Sequence, residues 1–376
     1  MGIYIHIPFC LHKCDYCDFY SVPVTNLSLL EDYTCSVINE LKLRKNEIDC
    51  PFTTVYLGGG TPSLLSPVQI ERILATVFAH YHSQGEPEIS METNPATVNL
   101  KKLQDLRKAG VNRMSIGVQS FSDQELKTLG RIHNRREASA VLSDVSKAGF
   151  DNFNIDLIYG LPGQTLAAWH ENLSQAMNFN PPHVSAYLLQ LDQSTPLARK
   201  IEAGILNMLD DELEASLYYF TLNYLQGQGY QHYEISNFAK PNRECQHNLL
   251  YWRGSRYLGI GSGAVSFDGQ QRNLNQPPLD NYIEALLDHR LPPIKILETM
   301  DAGQRIIDVI IMGLRLTEGI SRDDFQQRFG IDLLKDYQDI ISNCQLQGLL
   351  ELENDRMYLT KRAYFLSNQV LSQFIS

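Results

Sequence analysis

Residues 2–20 read GIYIHIPFCLHKCDYCDFY. The opening apolar residues read as a buried strand, and three cysteines follow at once in the spacing C-x3-C-x2-C. Soft thiolates suit iron–sulfur ligation. Three of them within eight residues, Cys10, Cys14 and Cys17, can cap three corners of a cubane from a single loop. The fourth iron of a [4Fe–4S] cluster then has no ligand from this loop and can chelate the amino and carboxylate groups of S-adenosylmethionine (SAM). Reduced, such a cluster passes one electron to the sulfonium and releases methionine and a 5′-deoxyadenosyl radical. The competing reading is a zinc site. Zinc normally takes four ligands, often as two close pairs, and only His12 lies nearby to add to the three thiols. Cys35, Cys50 and Cys344 stand alone in the sequence and read as core thiols.

Outward from this loop, short apolar runs alternate with longer amphipathic ones. Strands are expected over 2–7, 54–57, 88–92, 113–119, 153–158 and 184–191, and helices over 67–82, 100–109, 136–148 and 166–179. Gly110 and Gly149 stand where two of the helices should stop. About six β–α units imply right-handed crossovers and a parallel sheet, which closes only part of a (β/α)8 ring. The expected fold is therefore α/β, an open, TIM-like partial (β/α)6 barrel, with its chemistry at the C-terminal ends of the strands. The first cysteine follows the first strand at that edge.

The pattern changes near Thr195. A helix is expected over 210–228, followed by the segment 232–252 and a glycine-rich stretch over 257–266. The polar run 270–278 (QQRNLNQPP) reads as a linker or excursion. Helices over 302–316, 321–329 and 333–346, then a strand over 356–359, follow the order of a winged-helix-like domain. The expected division is 1–194 for the partial barrel, 195–298 for an additional α+β region and 299–376 for the winged-helix-like domain.

With 43% hydrophobic and 20% charged residues, the 376-residue chain can bury an ordinary core. A formal net charge of −11 disfavours nucleic acid as a partner, since a phosphate-backbone binder needs a basic face. The sequence shows no secretory signal and no membrane-spanning apolar run. The expectation is a soluble, cytoplasmic protein whose seven cysteines are thiols or metal ligands rather than disulfides.

Further motifs sit at the ends of successive expected strands. They are Gly58-Gly59-Gly60-Thr61-Pro62, Glu92-Thr-Asn94-Pro95, Gly117-Val-Gln119-Ser120, Arg131 within LGRIH, and Asp156 within DLIYGLPG. With the cysteine loop, they make the chain resemble the radical-SAM superfamily over nearly its whole length, and most closely its coproporphyrinogen-dehydrogenase-like branch. By that resemblance Gly59, Gly60 and Thr61 belong to the segment that contacts the methionyl amino group. Glu92, Gln119, Arg131 and Asp156 become the polar contacts to the amino acid and ribose of SAM, and Tyr4 and Tyr16 match positions close to it. The chemistry is sensible, because carboxylates hold ammonium and hydroxyl groups and an arginine pairs a carboxylate.

Within the branch, the coproporphyrinogen III oxidases carry another cysteine two residues after the third. Phe19 stands there in this chain, which also begins only three residues before Tyr4, without the oxidases' N-terminal extension. The pattern resembles the HemW-type haem chaperones instead. His247-Asn248-Leu-Leu-Tyr251-Trp252 is similar to the HNxxYW motif used for haem in that group, with His247 as axial ligand and Cys245 as an alternative thiolate. The resemblance implies haem as a third ligand, a haem-accepting apoprotein, and an electron donor such as flavodoxin or ferredoxin. It also admits a homodimer and peripheral membrane contact through the acceptor. Oxidative decarboxylation of coproporphyrinogen III is the alternative activity, and reductive cleavage of SAM is left open.

Overall fold

In the first strand, β1 (Gly2–Ile7), Ile3, Ile5 and Ile7 are completely buried, and Tyr4 and His6 between them turn to the opposite face. A computed structural model describing residues 1–24 and 26–375 carries this parity through five more strands. These are β2 (Phe52–Gly59), β3 (Ser83–Thr93), β4 (Arg113–Gln119), β5 (Phe153–Tyr159) and β6 (His183–Leu188). All six pair parallel in chain order. On one parity lie Val55, Leu57, Ile89, Met91, Met114, Ile116, Ile155, Leu157 and Val184, all in the main hydrophobic core. Each such aliphatic side chain removed from water contributes about 1.5–3 kcal/mol.

The helices that cover this face alternate with the strands. They are α1 (Leu27–Leu43), α2 (Pro67–His80), α3 (Leu100–Lys108), α4 (Arg135–Lys147) and α5 (Leu166–Met177). Ile70, Ile73 and Val77 of α2, Leu103 of α3, Leu142 of α4 and Leu173 of α5 join the same core. Local chemistry fixes where the helices begin: Ser66 with Gln69, and Asn134 with Glu137, form reciprocal capping boxes. Gly110 and Gly149 follow α3 and α4 at positive φ, as expected of helix stops.

The strands of residues 195–299 do not build a sheet of their own. They extend both edges of the first one. The strands β7 (Gln231–Glu234) and β8 (Asn237–Ala239) add beyond β6, and β9 (Tyr257–Ile260) runs parallel beside β1. Three antiparallel strands follow, β10 (Val265–Phe267), β11 (Gln271–Asn275) and β12 (Ile294–Thr299). The sheet thus has twelve strands, in the order β12-β11-β10-β9-β1-β2-β3-β4-β5-β6-β8-β7.

The polar run 270–278 is therefore not a linker. Its first half pairs with a strand on either side, and buried Asn275 donates to Glu40 Oε1 (2.7 Å) and the Gly261 carbonyl (3.0 Å). The helix expected over 333–346 breaks at Tyr337, which leaves helical geometry and divides Leu333–Asp336 from Gln338–Leu346. These helices pack with β13 (Ile320–Ser321), β14 (Leu350–Glu353) and β15 (Arg356–Leu359) in a three-stranded unit. Among the described residues, no helix is long and apolar enough to cross a membrane.

Candidate functional site

The second parity of the strands is polar. Tyr56 from β2, Glu92 from β3, Ser115 from β4, Asp156 from β5 and Tyr187 from β6 all line one cavity of about 640 Å³. Five consecutive strands can face one cavity only if the sheet is concave, as in a partial barrel. The volume lies within the ordinary range for small-molecule sites. The cysteine loop lies across its mouth, at the C-terminal ends of the strands, and Cys10, Cys14, Cys17 and Tyr16 all line it.

The loop is held at its middle. Asp15 N–H donates to the Leu129 carbonyl (3.0 Å), and the Asp15 carbonyl accepts from Leu197 N–H (2.8 Å). Its carboxylate pairs with Lys200 of the helix α6 (Pro196–Glu202). Thr61 Oγ1 reaches Cys10 Sγ at 3.7 Å, and Arg131 Nη1 reaches Cys14 Sγ at 3.4 Å. Burial, with the neighbouring thiols Cys14 and Cys10 adding to it, pushes the Cys17 thiol up to about 11. A crowded thiol that holds its proton in this way is suited to a cationic centre that takes the proton's place. Among the described residues, no three His, Cys, Asp or Glu side chains gather round a single point as ligands of one ion do. A cubane, whose three thiolates bind three different irons, does not require that of them.

The strand-end motifs meet in this cavity. Glu92 Oε1 accepts from Tyr56 O–H (2.9 Å) and its Oε2 from Gly59 N–H (3.0 Å). Asp156 accepts from Ser115 Oγ (2.9 Å) and Asn154 Nδ2 (2.7 Å). Burial, and secondarily the Asp156 charge, raises Glu92 to about 7, and burial raises Asp156 as well. Two carboxyls sharing a water-poor cavity make a place for a cation. Arg131 Nη2 donates to the Gly117 carbonyl (2.7 Å). Gln119 lies at a bulge between β4 and β5 with φ of 67°, a left-handed backbone that an ordinary residue keeps only under constraint. Gly59 has φ of 111°, and a Cβ on it would stand 2.5 Å from the His6 ring, so no other residue fits there. Thr93 Oγ1 and Arg131 Nε are buried without a partner among the described residues, and both residues line the cavity. Thiols, paired carboxyls and unspent polar atoms thus fit a cluster with a polar, partly cationic ligand beside it.

Two expected site residues lie elsewhere. Tyr4 is not in the cavity wall. It packs behind Tyr56, with centroids 6.2 Å apart, and its hydroxyl bonds His6 Nδ1 at 2.9 Å. His247 is on the helix α7 (Gln246–Trp252), sealed at 1% exposure and stacked on Tyr56 at 5.1 Å. Its Nδ1 meets Thr54 Oγ1 at 2.7 Å and its Nε2 meets Tyr251 O–H at 2.9 Å, so this arrangement leaves no nitrogen for an iron. Burial, then Arg113, lowers its pKa to about 3, which keeps the ring neutral. Cys245 is equally enclosed beside Glu88, and burial pushes its thiol up to about 12.

The sequence reading passed over Tyr56, Ser115 and Tyr187. All three were open to strand parity, because each lies in phase with Glu92 or Asp156 on its own or a neighbouring strand. It also passed over Arg315, Tyr364 and Phe365, which wall the cavity from the C-terminal region and carry no local motif.

Compared with known proteins, residues 4–176 match the radical SAM superfamily and residues 301–366 match the HemN C-terminal domain. The haem chaperone HemW of Escherichia coli is 41% identical over 392 residues, covering 100% of this chain and 98% of that protein. HemW of Bacillus subtilis is 32% identical, covering 99% and 98%. The chain belongs to the HemW family. The crystal structure of Escherichia coli coproporphyrinogen III oxidase (HemN), a radical SAM enzyme, superposes with a TM-score of 0.86 at 23% identity, covering 99% of this chain and 89% of that one. That likeness extends the shared fold across the HemN-like C-terminal region of this HemW-family chain.

Proposed function

We propose that this chain is a haem chaperone that carries a [4Fe–4S] cluster and SAM, binds haem in the same cavity and passes it to an acceptor apoprotein. Full-length similarity to HemW proteins supports this reading over the oxidase alternative, and Phe19, where the oxidases have a further cysteine, agrees with it. The single observation that carries it is the combined cavity, lined at once by three thiols, two half-buried carboxyls and aromatic residues of the C-terminal region.

Cys10, Cys14 and Cys17 would hold the cluster, which supplies a single electron at the cavity mouth when bound. Arg131 and Thr61 donate toward two of the sulfurs and stabilise them as thiolates. The Gly59 and Gly60 N–H groups are already given to Glu92 and the Ile7 carbonyl, so their carbonyl oxygens are what they offer an ammonium group. Glu92 gives up its proton once a cation lies against it. Asp156, oriented by Ser115 and Asn154, accepts from hydroxyls. Tyr16, buried beside Arg131 and the thiols, keeps its phenol protonated and excludes water from the loop.

The test is anaerobic reconstitution of the full chain, haem loading, and haem transfer to candidate apoproteins with and without SAM and reductant. Transfer of haem supports the reading. Robust conversion of coproporphyrinogen III to protoporphyrinogen, without haem transfer, sinks it.

A further inference from the structure

Arg315 follows the helix α8 (Ala302–Gly313) and lines the cavity together with residues of the C-terminal region. Among the described residues, the hydrogen bond its guanidinium makes goes to Asn368 Oδ1 at 3.3 Å, and no carboxylate pairs with it. Its carbon lies 5.4 Å over the Trp252 ring, the last residue of the HNxxYW motif. The charge that acts on Arg315 is that of Glu234, 2% exposed, with Oε1 unpartnered among the described residues and a pKa raised by burial to about 7. Trp252 Nε1, also buried, has no partner either. Arg315 is half-buried, and withdrawing even part of a guanidinium from water without an anion costs free energy that an aromatic face offsets only in part. The protein does not supply a full counter-charge. The same cavity is lined by the aromatic residues Tyr187, Tyr218, Tyr364 and Phe365. Tyr187 keeps 38% of its surface accessible, a large ring with one face open.

Resting on the haem reading above, we infer that Arg315, held on the Trp252 face, is an anion subsite that takes a carboxylate of a flat dicarboxylate macrocycle lying along the aromatic wall. This gives HNxxYW a part in haem binding that does not need His247 to touch iron. Its last residue positions the cation that does the binding. The cavity is then divided by charge, with buried carboxyls facing a cationic ligand at one end and an arginine facing an anionic ligand at the other.

The experiment uses the full chain with its cluster reconstituted anaerobically. It compares haem with haem dimethyl ester by Soret titration in wild type, Arg315→Gln and Trp252→Leu, and counts SAM equivalents bound by equilibrium dialysis. Wild type is expected to prefer haem to its ester by about tenfold, the worth of one charge-assisted contact. Arg315→Gln should abolish that preference by weakening haem alone. Trp252→Leu should reduce the preference too, which a merely structural loss would not do, because that would weaken both ligands together. If wild type binds haem and Arg315→Gln keeps the full preference, the subsite is wrong and the chaperone reading stands. If wild type binds no haem, both fall. If Arg315→Gln instead loses a bound equivalent of SAM, the carboxylate belongs to an amino acid and the inference is overturned.

Discussion

The two ends of the cavity are built differently. At the cysteine end, each Glu92 oxygen has a donor, Asp156 has two, the loop is tied through Asp15, and Gly59 admits no side chain. At the C-terminal end, Arg315 lacks a carboxylate partner among the described residues and packs over the Trp252 ring. A site whose groups are already oriented loses little freedom on binding, which suits a resident cofactor. A cation without a paired carboxylate gains a contact when an anionic ligand arrives and loses it when the ligand leaves, which suits cargo that must be released.

The contrast can be broken, and the largest effect belongs to the thiols. Cys14→Ala should abolish the cluster, read as loss of iron and of the visible absorbance after reconstitution; a retained full cluster would show that another residue completes the set. Next comes Glu92→Gln, expected to weaken SAM about 100-fold or more by dialysis. Wild-type SAM affinity should rise with pH through about 7 as Glu92 ionises, and the variant should lose that dependence. The sign for stability is opposite. A carboxyl whose folded pKa is raised favours the folded state below its unfolded value near 4.5 and loses that contribution as pH climbs through about 7. At pH 8, Glu92→Gln should therefore make the cofactor-free protein about 1–2 kcal/mol more stable in urea melts, after discounting for water admitted to the cavity.

His247→Ala should cost about 2–4 kcal/mol in the same melts, by removing a buried ring and its two hydrogen bonds. Its haem Soret band should stay where wild type has it; a lost or shifted band would make His247 a ligand after all. The smallest effect is Lys200→Met, which removes a half-exposed ion pair to Asp15 worth about 1 kcal/mol or less. It should leave iron content intact and modestly speed cluster loss to a chelator.

The cysteine end was legible in the sequence because its residues lie at or just after strand ends, where periodicity and motif coincide. Parity alone would have added Tyr56 and Ser115. The other end was hidden because Arg315, Tyr364 and Phe365 come from helix ends and turns more than a hundred residues beyond the barrel, brought together only by tertiary packing. The strand Gln271–Asn275 escaped for a different reason: its side chains are polar, and backbone pairing with two neighbours overrides their weak strand preference. His247 misled because a histidine among aromatics looks the same in sequence whether it faces a ligand or plugs a barrel floor.

Asp15 sits between Cys14 and Cys17, two of the proposed cluster ligands, yet its main-chain bonds go to Leu129 and Leu197. Those anchors lie on other elements and do not depend on metal. Oxygen that strips the cluster would thus leave the mould unbroken, and the same chain could be recharged with iron and sulfide without refolding.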